Sequence, residues 1–217
     1  MNRFTSRLYE NYARIGKVLS SARRIELLEL LAQAPHSVEE LVQLSGMSVA
    51  NTSQHLQLLR QHGLVEAQKQ GLYVIYRLAS PEVHTFLQQL GRLAQSQLAE
   101  VKQIEAEFLA QAEAWQSVDV AQLQAQLAAG ALLLDVRPAE EYAAGHIPGA
   151  VSAPLPELAE RMAQMPKQQT VIAYCRGPYC LYALEAVHRL SEQGFQSLHF
   201  REGMAGWRDQ AQALEAT

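Results

Sequence analysis

The sequence predicts two domains: a mainly α-helical N-terminal part built around a helix-turn-helix and a β-hairpin, and an α/β C-terminal part whose mainly parallel sheet carries helices on both faces. Three observations predict this. Apolar residues recur at three- and four-residue spacing as far as about residue 108, and then give way to short apolar runs alternating with helical segments. Two short helical segments meet at a tight glycine turn and are followed by an alternating stretch with its own glycine turn. Charge is also uneven. Residues 1–79 hold nine Lys/Arg against six Asp/Glu, residues 80–116 two against five, and residues 117–217 seven against eleven, so a net charge of -4 hides a basic front end. Such a front end points to a polyanion partner for the N-terminal part only.

With 48% hydrophobic and 18% charged residues, the 217-residue chain suits soluble domains with proper cores. No apolar run approaches the roughly 20 residues of a membrane span. The opening stretch MNRFTSRLYENYARIG is mixed and charged, unlike a secretory signal. The expected compartment is the cytoplasm, with no membrane partner. There, two cysteines point to chemistry rather than to a structural disulfide.

The elements follow in order. Residues 5–34 read as helix through ARIGKVL and RRIELLELLAQ, with Ser20 or Ser21 placed to cap the second segment and Pro35 ending it. SVEELVQLSG is a short helix stopped by Gly46. In SVANTSQHLQLLRQHG, Ser48 is the expected N-cap, Leu56 and Leu59 face a core with Val49 and Thr52 beside them, and Gly63 closes the helix. LVEAQKQGLYVIYRLAS alternates and turns at Gln70-Gly71, which reads as a hairpin or wing. From Ser80, Val83, Leu87, Leu90, Ala94, Val101, Ile104 and Phe108 form a heptad-like run, so a long helix packed on a second copy of the chain is expected. The expected domains are residues 1–110, a linker at 111–118, and residues 119–217. In the last of these, GALLLDV, TVIAYC and QSLHF read as strands, and VDVAQLQAQLA, LPELAERMAQ and LYALEAVHRLSEQG as helices.

A helix-turn-helix places its second helix in the DNA major groove, where base edges carry a readable donor and acceptor pattern. Ser48, Asn51, Thr52, Ser53, Gln54, His55 and Gln57 are the candidate base-reading residues, and Lys69, Gln70 and Arg77 of the wing are placed to hold phosphates. The run TSQHLQLLRQHGLVEAQKQGLYVIYRL resembles the ArsR/SmtB family of dimeric winged-helix repressors over about residues 10–90. The likeness rests on Ser53-Gln54-His55-Leu56, on Leu59 with His62-Gly63-Leu64-Val65, and on Gly71 leading to Tyr76-Arg77-Leu78. It implies double-stranded DNA and a homodimer. Metal-sensing members carry cysteines in the helix before the recognition helix, and SVEELVQLSG has none. Glu82-Val83-His84 echoes half of a second family metal site, but Leu98 stands where a ligand is needed. No metal and no cofactor are expected.

LLLDVRPAEEYAAGHIPGA (132–150) and REGMAGW (201–207) resemble the two signatures of the rhodanese, or sulfurtransferase, family, a likeness covering about residues 117–212. It implies that TVIAY is a strand ending in Cys175, with a loop of catalytic type running to Cys180. The candidate site residues are Cys175, Arg176, Gly177, Tyr179 and Cys180. Loop amides and the following helix N-terminus can stabilise a thiolate or persulfide, and Arg176 adds positive charge. Pro178 removes one amide donor. Leu181 stands where a phosphatase-like loop needs arginine, against phosphate chemistry. Cys180 occupies the last loop position, where sulfurtransferases often carry a polar or cationic residue. It can act as a resolving thiol against a Cys175 persulfide, or as a small buried filler. Asp135 and Arg137 read as a brace at a strand end, His146 as a loop tie, Trp207 as core, and Tyr174, Tyr179 and Tyr182 as surrounding the thiol.

The expectation is therefore a dimeric repressor that senses or handles a persulfide, polysulfide or thiosulfate at Cys175. The alternatives are a sulfurtransferase whose winged helix only dimerises or locates it, and a thiol-based metalloid or oxidant sensor.

Overall fold

The computed structural model describes residues 3–112, 116–210 and 214–215. Residues 113–115, inside the expected linker, lie outside that set. The chain divides into two compact units, Met1–Leu98 and Ala99–Thr217.

The first unit runs α1 (Arg3–Leu19), α2 (Ala22–Gln33), β1 (His36–Ser37), α3 (Val38–Ser45), α4 (Val49–Gln61), β2 (Val65–Gln70), β3 (Tyr73–Leu78) and α5 (Pro81–Gln97). The helical stretch expected across residues 5–34 divides at Ser20-Ser21, where its second segment was expected to begin. Ser21 adopts extended backbone with no side-chain cap bond. The junction is held from the other side: Ser20 Oγ donates to the Lys17 carbonyl, while Arg24 donates to the carbonyls of Lys17 and Val18. These bonds satisfy carbonyls that the end of α1 leaves unpaired.

Ser37 and Glu40 form a capping box that starts α3. Gly46, at φ 66°, ends it in the left-handed region, so the chain reverses into α4, which Ser48 caps through the Asn51 amide. Leu27, Leu28, Leu41, Leu56 and Leu59 are fully buried between α2, α3 and α4. Val49, expected in that core, is exposed instead. In the wing, Gln70 pairs with Tyr73 across the two-residue turn Gly71-Leu72. The sequence reading missed β1, which adds a third strand beside β3.

The second unit runs α6 (Ala99–Ala112), β4 (Ser117–Val118), α7 (Val120–Ala128), β5 (Leu132–Asp135), α8 (Ala139–Ala144), β6 (Val151–Ser152), α9 (Leu158–Met162), β7 (Val171–Tyr174), α10 (Leu181–Glu192), β8 (Ser197–Phe200) and α11 (Gly203–Asp209). The continuous helix expected from Ser80 is interrupted at Leu98, whose backbone is extended (φ -107°, ψ 116°), and α6 groups with this unit rather than with the winged helix.

The sheet order is β4-β8-β7-β5-β6, all parallel. Strand alternation sends Leu133, Ile172, Tyr174, Leu198 and Phe200 to one face, against α7 and α11, and Leu134, Val171 and Ala173 to the other, against α9 and α10. Helices thus cover both faces, as expected. No helix among the described residues is long and apolar enough to cross a membrane.

His199 of β8 is buried, and its Nδ1 has no hydrogen-bond partner among the described residues. Burial, with Arg201 adding to it, pushes its pKa from the usual 6.5 down to about 4. Between those two values the unfolded chain binds a proton that the folded chain refuses, so stability falls as pH drops through the window. Urea midpoints measured at pH 7 and pH 5 are expected to show this loss, and His199→Gln to flatten it.

Candidate functional site

All four residues of β7 are buried, and the strand delivers Cys175 at its carboxyl end, itself buried. The loop then turns, with the Cys180 amide donating to the Gly177 carbonyl at 3.1 Å. That turn brings the two cysteines to a Cα–Cα distance of 6.1 Å, and a disulfide joins them. The bond joins the two cysteines that the sequence reading assigned to chemistry rather than to a structural staple, and it is the pair expected if Cys180 resolves a Cys175 persulfide. Cys180 is half-buried at the start of α10, packed against the core cluster on the α9 and α10 side of the sheet.

The other wall of the loop is α11. Its first amides, Met204 and Ala205, donate to the carbonyls of Cys175 and Arg176, both at 2.9 Å. This approach needs Gly203. At φ 56°, a Cβ there would stand 2.5 Å from the Cys175 oxygen and 2.9 Å from the Gly177 nitrogen. With the loop carbonyls turned onto α11, the amides of Arg176, Gly177 and Tyr179 have no hydrogen-bond partner among the described residues. Together with the uncapped start of α10, they are backbone donors left available at this loop.

Arg176 does not supply the charge expected of it. Its Nε lies 3.1 and 3.0 Å from the two carboxylate oxygens of Glu141, and its Nη2 also donates to Glu141. Glu141 is fully buried, so the guanidinium is committed to neutralising it. The sequence reading missed Glu141; the signal was the acid before Tyr142 in the first rhodanese-like signature. A wider network continues inward. Arg137 Nη1 stands 3.9 Å from Glu141, and Arg137 grips Asp135 through Nε and Nη2 at 2.9 and 2.6 Å. Burial works against the Arg137 charge, but Asp135, together with Tyr174 and Glu141, outweighs it and raises the pKa. Tyr174 donates to Asp135 and accepts from the Ile147 amide; burial and then Asp135 push its phenol pKa upward. Asp135 and Arg137 are the brace that was expected. His146 ties its loop by stacking on Tyr142 at 3.8 Å and meeting the Tyr142 carbonyl at 3.0 Å, and Trp207 is core.

Around the mouth, Tyr179 and Leu181 are exposed, and the Tyr182 ring lies 5.7 Å from the Arg176 guanidinium carbon. Among the described residues, no group of three or more metal-ligating side chains gathers here or elsewhere.

On α4, Asn51, Gln54 and Gln57 are exposed, while Ser53 and His55 are half-buried. Ser48 spends its hydroxyl oxygen on the cap. Thr52 is corrected: it is fully buried and its hydroxyl donates to the Ser48 carbonyl, so it cannot meet a groove. Lys69 and Gln70 are exposed on the wing. Arg77 is exposed but paired across the hairpin with Glu66 through Nε at 3.1 Å and Nη2 at 2.7 Å, so a phosphate would have to compete with that carboxylate.

Residues 119–210 match the rhodanese-like domain, and residues 21–67 match the arsR family of bacterial regulatory proteins. The HTH-type transcriptional regulator Rv0324 of Mycobacterium tuberculosis is 39% identical over 202 residues, covering 93% of this chain and 88% of that protein. A sulfurtransferase of Allochromatium vinosum is 36% identical over 77 residues, 35% of this chain and 70% of its own. Among solved structures, the homodimeric winged helix-turn-helix domain of Mb0332 from Mycobacterium bovis is 33% identical, with a TM-score of 0.43, over 46% of this chain and 93% of that one.

Replacing Gly203 by alanine should test how the loop is held. The left-handed backbone alone costs a non-glycine residue roughly 1–2 kcal/mol, and the Cβ must also displace the Cys175 carbonyl. Gly203→Ala is expected to lower the unfolding midpoint by more than the backbone term and to slow disulfide formation after reduction, read by thiol alkylation.

Proposed function

The chain belongs to the arsR family of bacterial regulatory proteins and joins its winged helix-turn-helix to a rhodanese-like domain; from that premise we propose that it is a dimeric DNA-binding repressor that responds to reactive sulfur at Cys175. One observation carries the reading. A DNA-reading fold without cysteines shares its chain with a loop holding both, set within bonding distance of each other.

The chemistry balances without a cofactor. In the dithiol form, the Cys175 thiolate attacks the outer sulfur of a small persulfide RSSH. The donor leaves as RSH, and Cys175 carries the sulfur as a persulfide. Cys180 then attacks the Cys175 Sγ, the inner sulfur. The terminal sulfur departs as hydrosulfide, which takes the Cys180 proton, and the Cys175–Cys180 disulfide remains. The zero-valent sulfur is reduced and the two thiols are oxidised. Polysulfide enters by the same steps.

Asn51, Gln54 and Gln57 are the exposed polar face of α4 that would meet base edges, and Lys69 would meet phosphate. A second copy is expected to cover the apolar side chains that α1 and α5 expose: Phe4, Leu8, Tyr9, Tyr12, Phe86 and Leu93. The rival reading is a turnover sulfurtransferase, supported by the likeness to the Allochromatium sulfurtransferase. Two features weigh against it. Cys180 is poised to consume the persulfide, and the Arg176 charge is already taken by Glu141.

Binding to the DNA upstream of the chain's own gene, at fixed salt, is expected to change at least about tenfold on adding a persulfide donor, or 1.4 kcal/mol. A thiol reductant should reverse the change, and Cys175→Ser should abolish it. An affinity indifferent to the donor would sink the sensing reading; rapid Cys175-dependent turnover of thiosulfate would favour the rival. Gln54→Ala, if Gln54 reads a base, should cost about 1–3 kcal/mol of discrimination at one operator position. Sedimentation should find a dimer, which Leu93→Asp converts to monomer.

A further inference from the structure

Tyr179 immediately precedes Cys180, so any displacement of Cys180 moves it. Its hydroxyl donates to Glu105 of α6, and its ring meets Phe108 edge-on, with centroids 5.7 Å apart and planes at 78°. Glu105 and Phe108 lie three residues apart and share one face of that helix. Burial and then Glu105 push the Tyr179 phenol up to about 12, so the donated proton stays in place at any physiological pH. None of these contacts is needed to make or break a sulfur bond. They tie the disulfide loop to the helix that begins one residue after Leu98, where α5, the last helix of the winged-helix unit, ends in extended backbone.

We propose that Tyr179, Glu105 and Phe108 form a latch that fastens α6 to the loop while Cys175 and Cys180 are joined and releases it when they part. The helix following the winged-helix unit then carries the sulfur state of the loop. The proposal rests on the sulfur-sensing reading and names the first element that reading would act on. Closure proceeds by the persulfide steps above. Opening takes two equivalents of a small thiol. The first thiolate breaks the Cys175–Cys180 bond and forms a mixed disulfide with one cysteine. The second displaces that cysteine as thiolate, leaving RSSR, and the two protons from the small thiols end on Cys175 and Cys180. Once the bond is open, the turn at Gly177 still keeps Cys180 close to Cys175, but the covalent tie that fixed its position is gone, and Tyr179 is free to shift with it.

The test is amide hydrogen exchange of the full chain, read on peptides spanning residues 99–108, in the disulfide form and after reduction with dithiothreitol. Exchange should be about fivefold or more slower with the disulfide closed. The difference should fall below about twofold in Glu105→Gln/Phe108→Ala, with disulfide closure, followed by alkylation and mass, unchanged. Tyr179→Phe, which removes only the hydroxyl, should give an intermediate loss. Equal exchange in the two wild-type forms would overturn the latch, as would a difference that survives the double variant. If the latch is seen and own-promoter affinity ignores it, the regulatory reading fails and the latch stands. If promoter affinity responds to the persulfide donor equally in wild type and double variant, sensing stands and the latch fails.

Discussion

The sulfur loop depends on a buried chain of charges running from Asp135 through Arg137 and Glu141 to Arg176. Three of these four side chains are fully buried, and a buried charge is tolerated only when its partner and hydrogen bonds are complete. The four residues come from the end of β5, from the residue pair after it, from α8 and from the first position of the loop. Pairing them fixes those segments against one another, although Arg137 Nη1 meets Glu141 only at 3.9 Å and makes no hydrogen bond among the described residues. Tyr174, one residue before the thiol, adds its hydroxyl to Asp135, so the strand carrying Cys175 is anchored to the same network. Directional bonds of this kind specify one arrangement where apolar packing alone would accept several.

The same network decides what Arg176 can do. A guanidinium beside a cysteine ordinarily favours the thiolate. Here three contacts with a buried carboxylate bind it. On the proposed reading, stabilisation of a sulfur anion would then fall to backbone amides, while α11 takes the loop carbonyls on the amides of Met204 and Ala205. Gly203 permits that closeness, which gives the second signature motif a mechanical role.

Much of this was legible in the sequence. Gly46 and Ser48 marked the turn into α4 because left-handed backbone and an N-cap are local requirements that particular residues meet. The four-residue strands β5, β7 and β8, set in apolar runs, announced themselves by composition. The two-residue strands β1, β4 and β6 did not, since they exist only by pairing with distant partners. Thr52 was read both as a neighbour of the core and as a candidate DNA contact, and the helical phase that buries Leu56 settles it for the core. The break at Leu98 carries no glycine or proline to signal it. Glu141 stood in the first signature, but its pairing was illegible for a similar reason: Arg176 lies 35 residues away, and only the fold makes them neighbours.

The placement of the second cysteine also bears on whether this loop passes sulfur on or records it. A persulfide on Cys175 faces two acceptors, a thiol from solution and Cys180. The solution thiol must be captured and oriented at an entropic cost that the fold has already met for Cys180, held by the turn at Gly177 and the start of α10. Intramolecular attack of this kind outruns solution thiols unless they are very concentrated. A site built for turnover needs the opposite ordering, with the acceptor outside and the loop's last position inert. On the proposed reading, putting a cysteine there makes the loop keep a covalent record of the encounter until a reductant erases it, a property suited to a regulator and poorly suited to an enzyme.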